Sequence, residues 1–302
     1  MAFHVPDANY GLLEDVLERF RVLLKKSAIT GIDETRLDRW ISNFRTDEEH
    51  YLAACMLNRL IYRSQAMIDS SIDHLLHCLL PTYLRKIGHF PHPDIESFLD
   101  VLQLNDSDYP IRIVGVDGSR AFDTGKSGAV IIRQYKRRAG ISKFLTCRPD
   151  ALGGLSKKVR CLVFVDDMLG TGTQFDTFAK EHALHEKEGV HIVYCPLIAH
   201  AEGLKTLKDN CPWLTVLPVE IFDGQHNFFC ELKDHPGIWG VDGVNTVDDV
   251  KGFYDQIAAK HGIPTLRKFG LGLVLGFEHS TPNNSLSMLW ASSGKWAALL
   301  TR

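Results

Sequence analysis

The chain has 302 residues, of which 45% are hydrophobic and 24% are charged, and its formal net charge is −3. These values are typical of a soluble globular protein with one large domain or two smaller ones. The slightly negative net charge gives no global argument for nucleic-acid binding. The longest apolar run, at residues 269–277, is too short to cross a membrane, because a spanning helix needs about 20 residues.

Seven cysteines occur in the chain, and no two of them form a C-x-x-C pair. Most lie within apolar runs, as reduced core thiols do in cytoplasmic proteins. The first residues lack the basic and then apolar pattern of a secretion signal. We therefore expect a cytoplasmic protein that does not interact with a membrane.

The first part of the chain has the periodicity of helices. Apolar side chains recur at helical spacing through residues 9–87, and Thr46 with Glu49 is typical of a capping box at the start of a helix. A connector rich in Pro and His follows at residues 88–93. We predict an all-helical N-terminal region over residues 1–90.

The pattern changes at residue 111 to strands that alternate with helices. Strands are predicted at residues 111–116, 162–165, 190–194 and 215–221, and helices at residues 129–138, 175–188, 202–208 and 247–260. Such alternation predicts right-handed βαβ units and a doubly wound parallel sheet. The predicted fold class is therefore α/β, with the α/β domain over residues 91–302.

The strongest functional signal follows the predicted strand 162–165, where Asp166 and Asp167 end an apolar run. The loop after them consists of Met168, Leu169, Gly170, Thr171, Gly172 and Thr173, and a helical pattern starts at Phe175. Open α/β sheets bind ligands at this edge, where helix N-termini favour phosphate. Carboxylates beside a phosphate are expected to bind sugar hydroxyls or a magnesium ion. The pattern therefore predicts a site for a phosphorylated ribose.

Residues 162–173 resemble the PRPP-binding loop of type I phosphoribosyltransferases: an apolar strand, an acidic pair, three variable residues and Thr-Gly. The resemblance implies a type I phosphoribosyltransferase-like α/β domain that binds PRPP with Mg²⁺. It also implies that Asp166 and Asp167 bind the ribose hydroxyls and the magnesium ion, and that residues 168–173 bind the 5′-phosphate. The chain departs from the pattern at Gln174, where many members have Thr. An ordinary strand-to-helix turn is the alternative.

A second polar loop follows the predicted strand 111–116, where the resemblance implies a pyrophosphate-binding loop. The candidate ligands are Asp117, Gly118, Ser119, Arg120, Lys126 and Ser127. Gly125-Lys126-Ser127 also suggests a nucleoside-triphosphate P-loop, but Arg120 stands where that motif requires its first glycine. A solvated loop without a ligand is the alternative.

Basic residues are concentrated in residues 133–160, where nine Lys or Arg occur and Asp150 is the only acid. Such groups can stabilise a departing pyrophosphate. They can also bind the backbone of a nucleic acid or form a solvated face of the protein. The sequence leaves these three interpretations open.

The C-terminal part of the chain has a polar block after a predicted apolar strand. Glu278 is a candidate general base, and His279, Asn283 and Asn284 are candidates for acceptor binding or for a structural turn. This block, the helical front and the acidic pair together resemble phosphoribosyltransferase-like proteins of bacterial conflict systems, some of which accompany retrons. The resemblance implies an anti-phage effector that transfers or cleaves at ribose C1.

A second class of function is a non-catalytic protein that senses the ligand or acts as a scaffold in a defence complex. Its partner would be a protein such as a retron reverse transcriptase, or a nucleic acid bound through residues 133–160. Gln174 in place of Thr favours this alternative.

Overall fold

The computed structural model of the protein describes residues 3–116, 127–235, 237–266 and 270–302. Its helices are α1 (Leu12–Lys25), α2 (Glu34–Ile41), α3 (Asp47–Asn58), α4 (Gln65–His74), α5 (Leu80–Lys86), α6 (Ile95–Gln103), α7 (Ser127–Ala139), α8 (Thr173–Glu181), α9 (Ala201–Asn210), α10 (Trp239–Asp242), α11 (Val247–His261) and α12 (Ser287–Trp290). A π-helical stretch, Leu75–Leu79, joins α4 to α5. None of the helices in the described part of the chain is long and apolar enough to cross a membrane.

The strands are β1 (Ile61–Arg63), β2 (Ile111–Gly115), β3 (Thr146–Cys147), β4 (Cys161–Leu169), β5 (His191–His200), β6 (Thr215–Val216), β7 (Glu220–Phe222) and β8 (Leu275–Phe277). Six of them form one parallel sheet. Five follow the order β3-β2-β4-β5-β6, and the sixth, β7, pairs with the same edge of β5 as β6 does, nearer the C-terminal end of β5. The predicted strand 215–221 is divided into β6 and β7, because Pro218 has no N–H to donate to the ladder.

The chain forms two compact units. Residues 67–222 form the sheet unit, and residues 1–66 together with residues 223–302 form the helical unit. This division differs from the predicted boundary near residue 90. The reason is a parallel pair of short strands, in which Ile61 of β1 lies beside Leu275 of β8. Three-residue strands between helices have no recognisable period, so the sequence did not indicate that the two ends of the chain fold together.

The helical unit has its own hydrophobic core. Trp40 of α2 is fully buried, and its indole N–H donates to the carbonyl of Met288 at 2.7 Å. The same core includes Leu52, Tyr254 and Trp296 from α3, α11 and the C-terminal segment. The predicted cap of α3 is present in part: Thr46 accepts a hydrogen bond from the Glu49 N–H, but the Glu49 carboxylate accepts from the N–H of Arg45 rather than from that of Thr46.

Helices cover both faces of the large sheet, which confirms the predicted doubly wound α/β class. On one face, Gly115 of β2 lies directly against Gly128 and Ile132 of α7. On the other face, Phe164 of β4 packs with Phe175 of α8. Because β2 and β4 are parallel neighbours, their C-terminal ends lie at the same edge of the sheet.

Gly115 tests this packing. A Cβ atom at this position would lie 2.4 Å from the carbonyl oxygen of Gly128. We predict that Gly115→Ala destabilises the sheet unit by about 1–3 kcal/mol, because β2 and α7 must move apart. The urea midpoint of unfolding measures the effect. The control is Gly153→Ala, which would meet no atom within 4 Å and should leave the midpoint unchanged. Equal midpoints for both variants would contradict the close approach of β2 and α7.

Candidate functional site

The loop between β4 and α8 is held by contacts with the start of α9. Gly172 has a φ of +89°, and a Cβ atom there would lie 2.9 Å from Cβ of Thr206. A Cβ atom on Gly203 of α9 would lie only 2.2 Å from the carbonyl oxygen of Gly170. The loop therefore requires glycine at Gly172 for its left-handed conformation and at Gly203 for the close backbone approach.

The first turn of α8 presents hydrogen-bond donors next to this loop. Gly172 is the N-cap residue, and among the described residues no side chain caps the helix. The first N–H groups of a helix have no partner within the helix, and the helix dipole favours an anion beside them. The hydroxyls of Thr171 and Thr173 are hydrogen-bonded to each other at 3.3 Å, and the hydroxyl that accepts in this pair keeps its own proton for a ligand. This combination can bind a phosphate group.

The acidic pair lies within β4, the strand that leads into the loop. β4 continues past the predicted end at Val165 and includes Asp166 and Asp167. Their exposed fractions are only 1% and 6%. Oδ1 of Asp166 accepts a hydrogen bond from the backbone N–H of Asp167 at 2.9 Å. The hydroxyl of Tyr194 on β5 donates to Oδ2 of Asp166 at 3.0 Å.

Burial dominates the electrostatics of the pair. Removal from water, followed by the negative charge of Asp167, raises the pKa of Asp166 well above its usual range, although the hydrogen bond from Tyr194 opposes this shift. Burial also raises the pKa of Tyr194 well above its usual value, so its hydroxyl stays a donor. A cation or a hydroxyl-bearing ligand beside the pair would favour the charged carboxylate.

Tyr194 and Phe175 were not predicted as part of the site. Their rings stack with centroids 4.1 Å apart and an interplanar angle of 17°. Tyr194 lies in a buried strand, where an aromatic residue is ordinary, so only the three-dimensional contact with Asp166 reveals its place in the site.

Most of the predicted pyrophosphate loop lies outside the described residues. Asp117, Gly118, Ser119, Arg120 and Lys126 lie outside the described residues, and Ser127 is the first residue of α7.

The candidate residues of the C-terminal block lie in the helical unit, whereas the acidic pair and residues 168–173 lie in the sheet unit. Oε2 of Glu278 accepts from the hydroxyl of Thr30 at 2.5 Å and from the N–H of Gln65 at 2.7 Å. Glu278 also donates its backbone N–H to the carbonyl of Arg63 at 3.0 Å. These bonds tie the end of β8 to the end of β1 and to the segment before α2.

The three other candidates also have contacts within the helical unit. The ring of His279 lies 5.4 Å from that of Phe277. Asn283 accepts a hydrogen bond from the Arg302 guanidinium. Asn284 lines a cavity of about 410 Å³ near α11 and accepts the N–H of Leu273 with its carbonyl.

Several basic residues of the segment 133–160 have acidic neighbours in the sheet unit. The pairs are Arg137–Asp69, Arg138–Asp73, Arg148–Asp150 and Lys158–Asp108. Ion pairs on the surface contribute little stability, but they reduce the local excess of positive charge that a nucleic-acid backbone would meet.

A parallel α/β unit with an acidic pair and a glycine-containing loop before a helix is the arrangement of a phosphoribosyltransferase-type protein. The family model PRTase-CE matches residues 37–302, so the chain belongs to the PRTase-CE family of phosphoribosyltransferase-like proteins. Among solved structures, the orotate phosphoribosyltransferase from Aeropyrum pernix is 18% identical, with 42% of this chain and 72% of that chain covered and a TM-score of 0.27. No curated protein matches the chain.

Gly172 offers a test of the loop. If the loop binds a sugar phosphate, Gly172→Ala should weaken the affinity for ribose 5-phosphate about tenfold or more, because the new Cβ clashes with Thr206 and the left-handed conformation is strained. The control is Gly189→Ala, whose φ is also positive, at +68°, but whose Cβ would meet nothing within 4 Å. Calorimetric titration measures both variants. Equal affinities of Gly172→Ala and Gly189→Ala for ribose 5-phosphate would show that this loop does not bind it.

Proposed function

We propose that the protein binds Mg-PRPP, or a related ribosyl phosphate, between the acidic pair and the loop that follows it. The strongest support is that the acidic pair, the loop and the start of α8 follow one another directly in the chain. Within one stretch of chain, Asp166 and Asp167 are followed by a left-handed Gly172 and by the uncapped start of α8. Sugar hydroxyls suit the carboxylates, and the 5′-phosphate suits the N–H groups.

The proposed roles follow the donors and acceptors that the segment offers. The N–H groups of residues 170–173 and the hydroxyls of Thr171 and Thr173 would bind the 5′-phosphate. The acidic pair would lie beside the ribose, and sugar hydroxyls would donate to a carboxylate oxygen of the pair. Met168 and Leu169 lie within β4, and Leu169 would act through its backbone, since it is 2% exposed and its side chain belongs to the hydrophobic core.

The residues fit a magnesium ion only together with a substrate. Among the described residues, no group of three or more His, Cys, Asp or Glu side chains could hold a metal ion. Magnesium is commonly bound by one or two carboxylates together with substrate phosphates and water. The acidic pair supplies such carboxylates, and a bound Mg²⁺ would neutralise charge on the diphosphate.

The reaction class that we propose is transfer or cleavage at ribose C1. The bond from C1 to the diphosphate oxygen breaks with its electron pair leaving on the diphosphate, and an acceptor attacks C1. In such a reaction the protein contributes mainly by holding the sugar phosphate and by placing charges. Glu278, the general base suggested by the sequence, lies in the helical unit, and its contacts with Thr30 and Gln65 are those of a structural carboxylate.

We place this activity in anti-phage defence. The proposal is supported by the resemblance to conflict-system proteins. A partner protein, such as a retron reverse transcriptase, would bind the helical unit. We expect Asp167→Asn to abolish protection against phage in cells that carry the whole locus. Full protection by the variant would separate the defence role from the ribosyl phosphate site.

A non-catalytic ligand sensor is the second candidate. Gln174 supports it, because this exposed residue in the first turn of α8 has an amide where many type I enzymes have a hydroxyl. Binding of PRPP without turnover, for any base or nucleic acid, would favour the sensor over the enzyme.

The binding proposal is tested by calorimetry with PRPP and Mg²⁺. We predict that Asp167→Asn weakens binding by about 10- to 100-fold, the loss expected for hydrogen bonds to a charged group. Asp150→Asn is the control, since it removes an exposed carboxylate that pairs only with Arg148 among the described residues. An equal affinity for wild type and Asp167→Asn would contradict the proposed site.

A further inference from the structure

One side chain contacts both ends of the segment that binds the ligand in our proposal. The hydroxyl of Tyr194 donates to Asp166, which lies before the loop. The ring of the same residue stacks on Phe175 in the first turn of α8, after the loop. Tyr194 is itself 1% exposed, so it is fixed within the core of the sheet unit.

The contacts of Asp166 differ from those expected of a residue that binds the sugar directly. One of its oxygens accepts the N–H of Asp167, and the other accepts the Tyr194 hydroxyl. With an exposed fraction of 1%, its carboxyl group is directed into the protein. Asp166 is nevertheless linked to Asp167 by this hydrogen bond to its backbone N–H and by an interaction between the two carboxyl groups.

We propose that Tyr194 is a positioning residue, which holds Asp166 so that Asp166 in turn orients Asp167 toward the ribose hydroxyls. The two acids then have different tasks: Asp166 is an internal anchor, and Asp167 contacts the sugar. This inference rests on the proposed ribosyl phosphate site and adds a residue to it.

The hydroxyl and the ring of Tyr194 can be separated by substitution. Tyr194→Phe keeps the stack on Phe175 and removes one hydrogen bond to the buried Asp166 carboxyl group, which loosens the acidic pair. The N–H groups of α8 keep their support in this variant. Tyr194→Leu removes the stack as well, so it disturbs the phosphate-binding turn in addition to the acidic pair.

The experiment is a calorimetric titration of two probes with Mg²⁺ present, ribose 5-phosphate and inorganic phosphate. For Tyr194→Phe we expect about a tenfold weaker affinity for ribose 5-phosphate and less than a twofold change for phosphate. For Tyr194→Leu we expect both affinities to fall. The control is Tyr135→Phe in the same unit, because Tyr135 is buried and its hydroxyl has no hydrogen-bond partner among the described residues.

A double-mutant cycle shows whether Tyr194 acts through the acidic pair. In the Asp167→Asn background, Tyr194→Phe should change the affinity for ribose 5-phosphate less than twofold, because the group that it positions is gone. A full tenfold loss in that background, or an equal loss for phosphate, would overturn the positioning role and leave the proposed function standing. If wild type bound neither probe, the proposed function would fail, and this inference with it.

Discussion

The candidate site depends on the burial of two adjacent carboxyl groups inside a parallel sheet. A buried carboxyl group is unfavourable unless hydrogen bonds or opposite charges compensate it, and apolar residues at the same positions would give a more stable core. Asp166 is compensated within the protein by Tyr194 and by the N–H of Asp167. For the second carboxyl group, that of Asp167, we propose a role in ligand binding.

The loop that follows the pair is placed by the topology of the sheet. β4 and β5 are parallel neighbours whose register continues to Leu169 and Ala199, so the helices that follow them begin side by side. The contact between Gly170 and Gly203 joins these two beginnings with no side chain between them. The conformation of the proposed phosphate loop is therefore determined by the second βα connection as well as by its own residues.

The sheet unit was predictable because its signals are local. The apolar strand, the acidic pair and the Gly-Thr loop adjoin one another in the sequence, and they adjoin one another in the structure. The role of Tyr194 was not predictable, because its contact with Asp166 joins two neighbouring strands and residues that are 28 positions apart in the chain. Nor was the pairing of β1 with β8, which joins segments more than 200 residues apart through strands of three residues.

The most direct test of the central claim is a crystal structure of the protein with Mg²⁺ and PRPP. We predict the 5′-phosphate on the N–H groups of residues 170–173, ribose hydroxyls within hydrogen-bond distance of Asp167, and Asp166 still hydrogen-bonded to Tyr194. A ribosyl phosphate bound elsewhere, with the Asp167 carboxylate making no contact to it, would contradict the account.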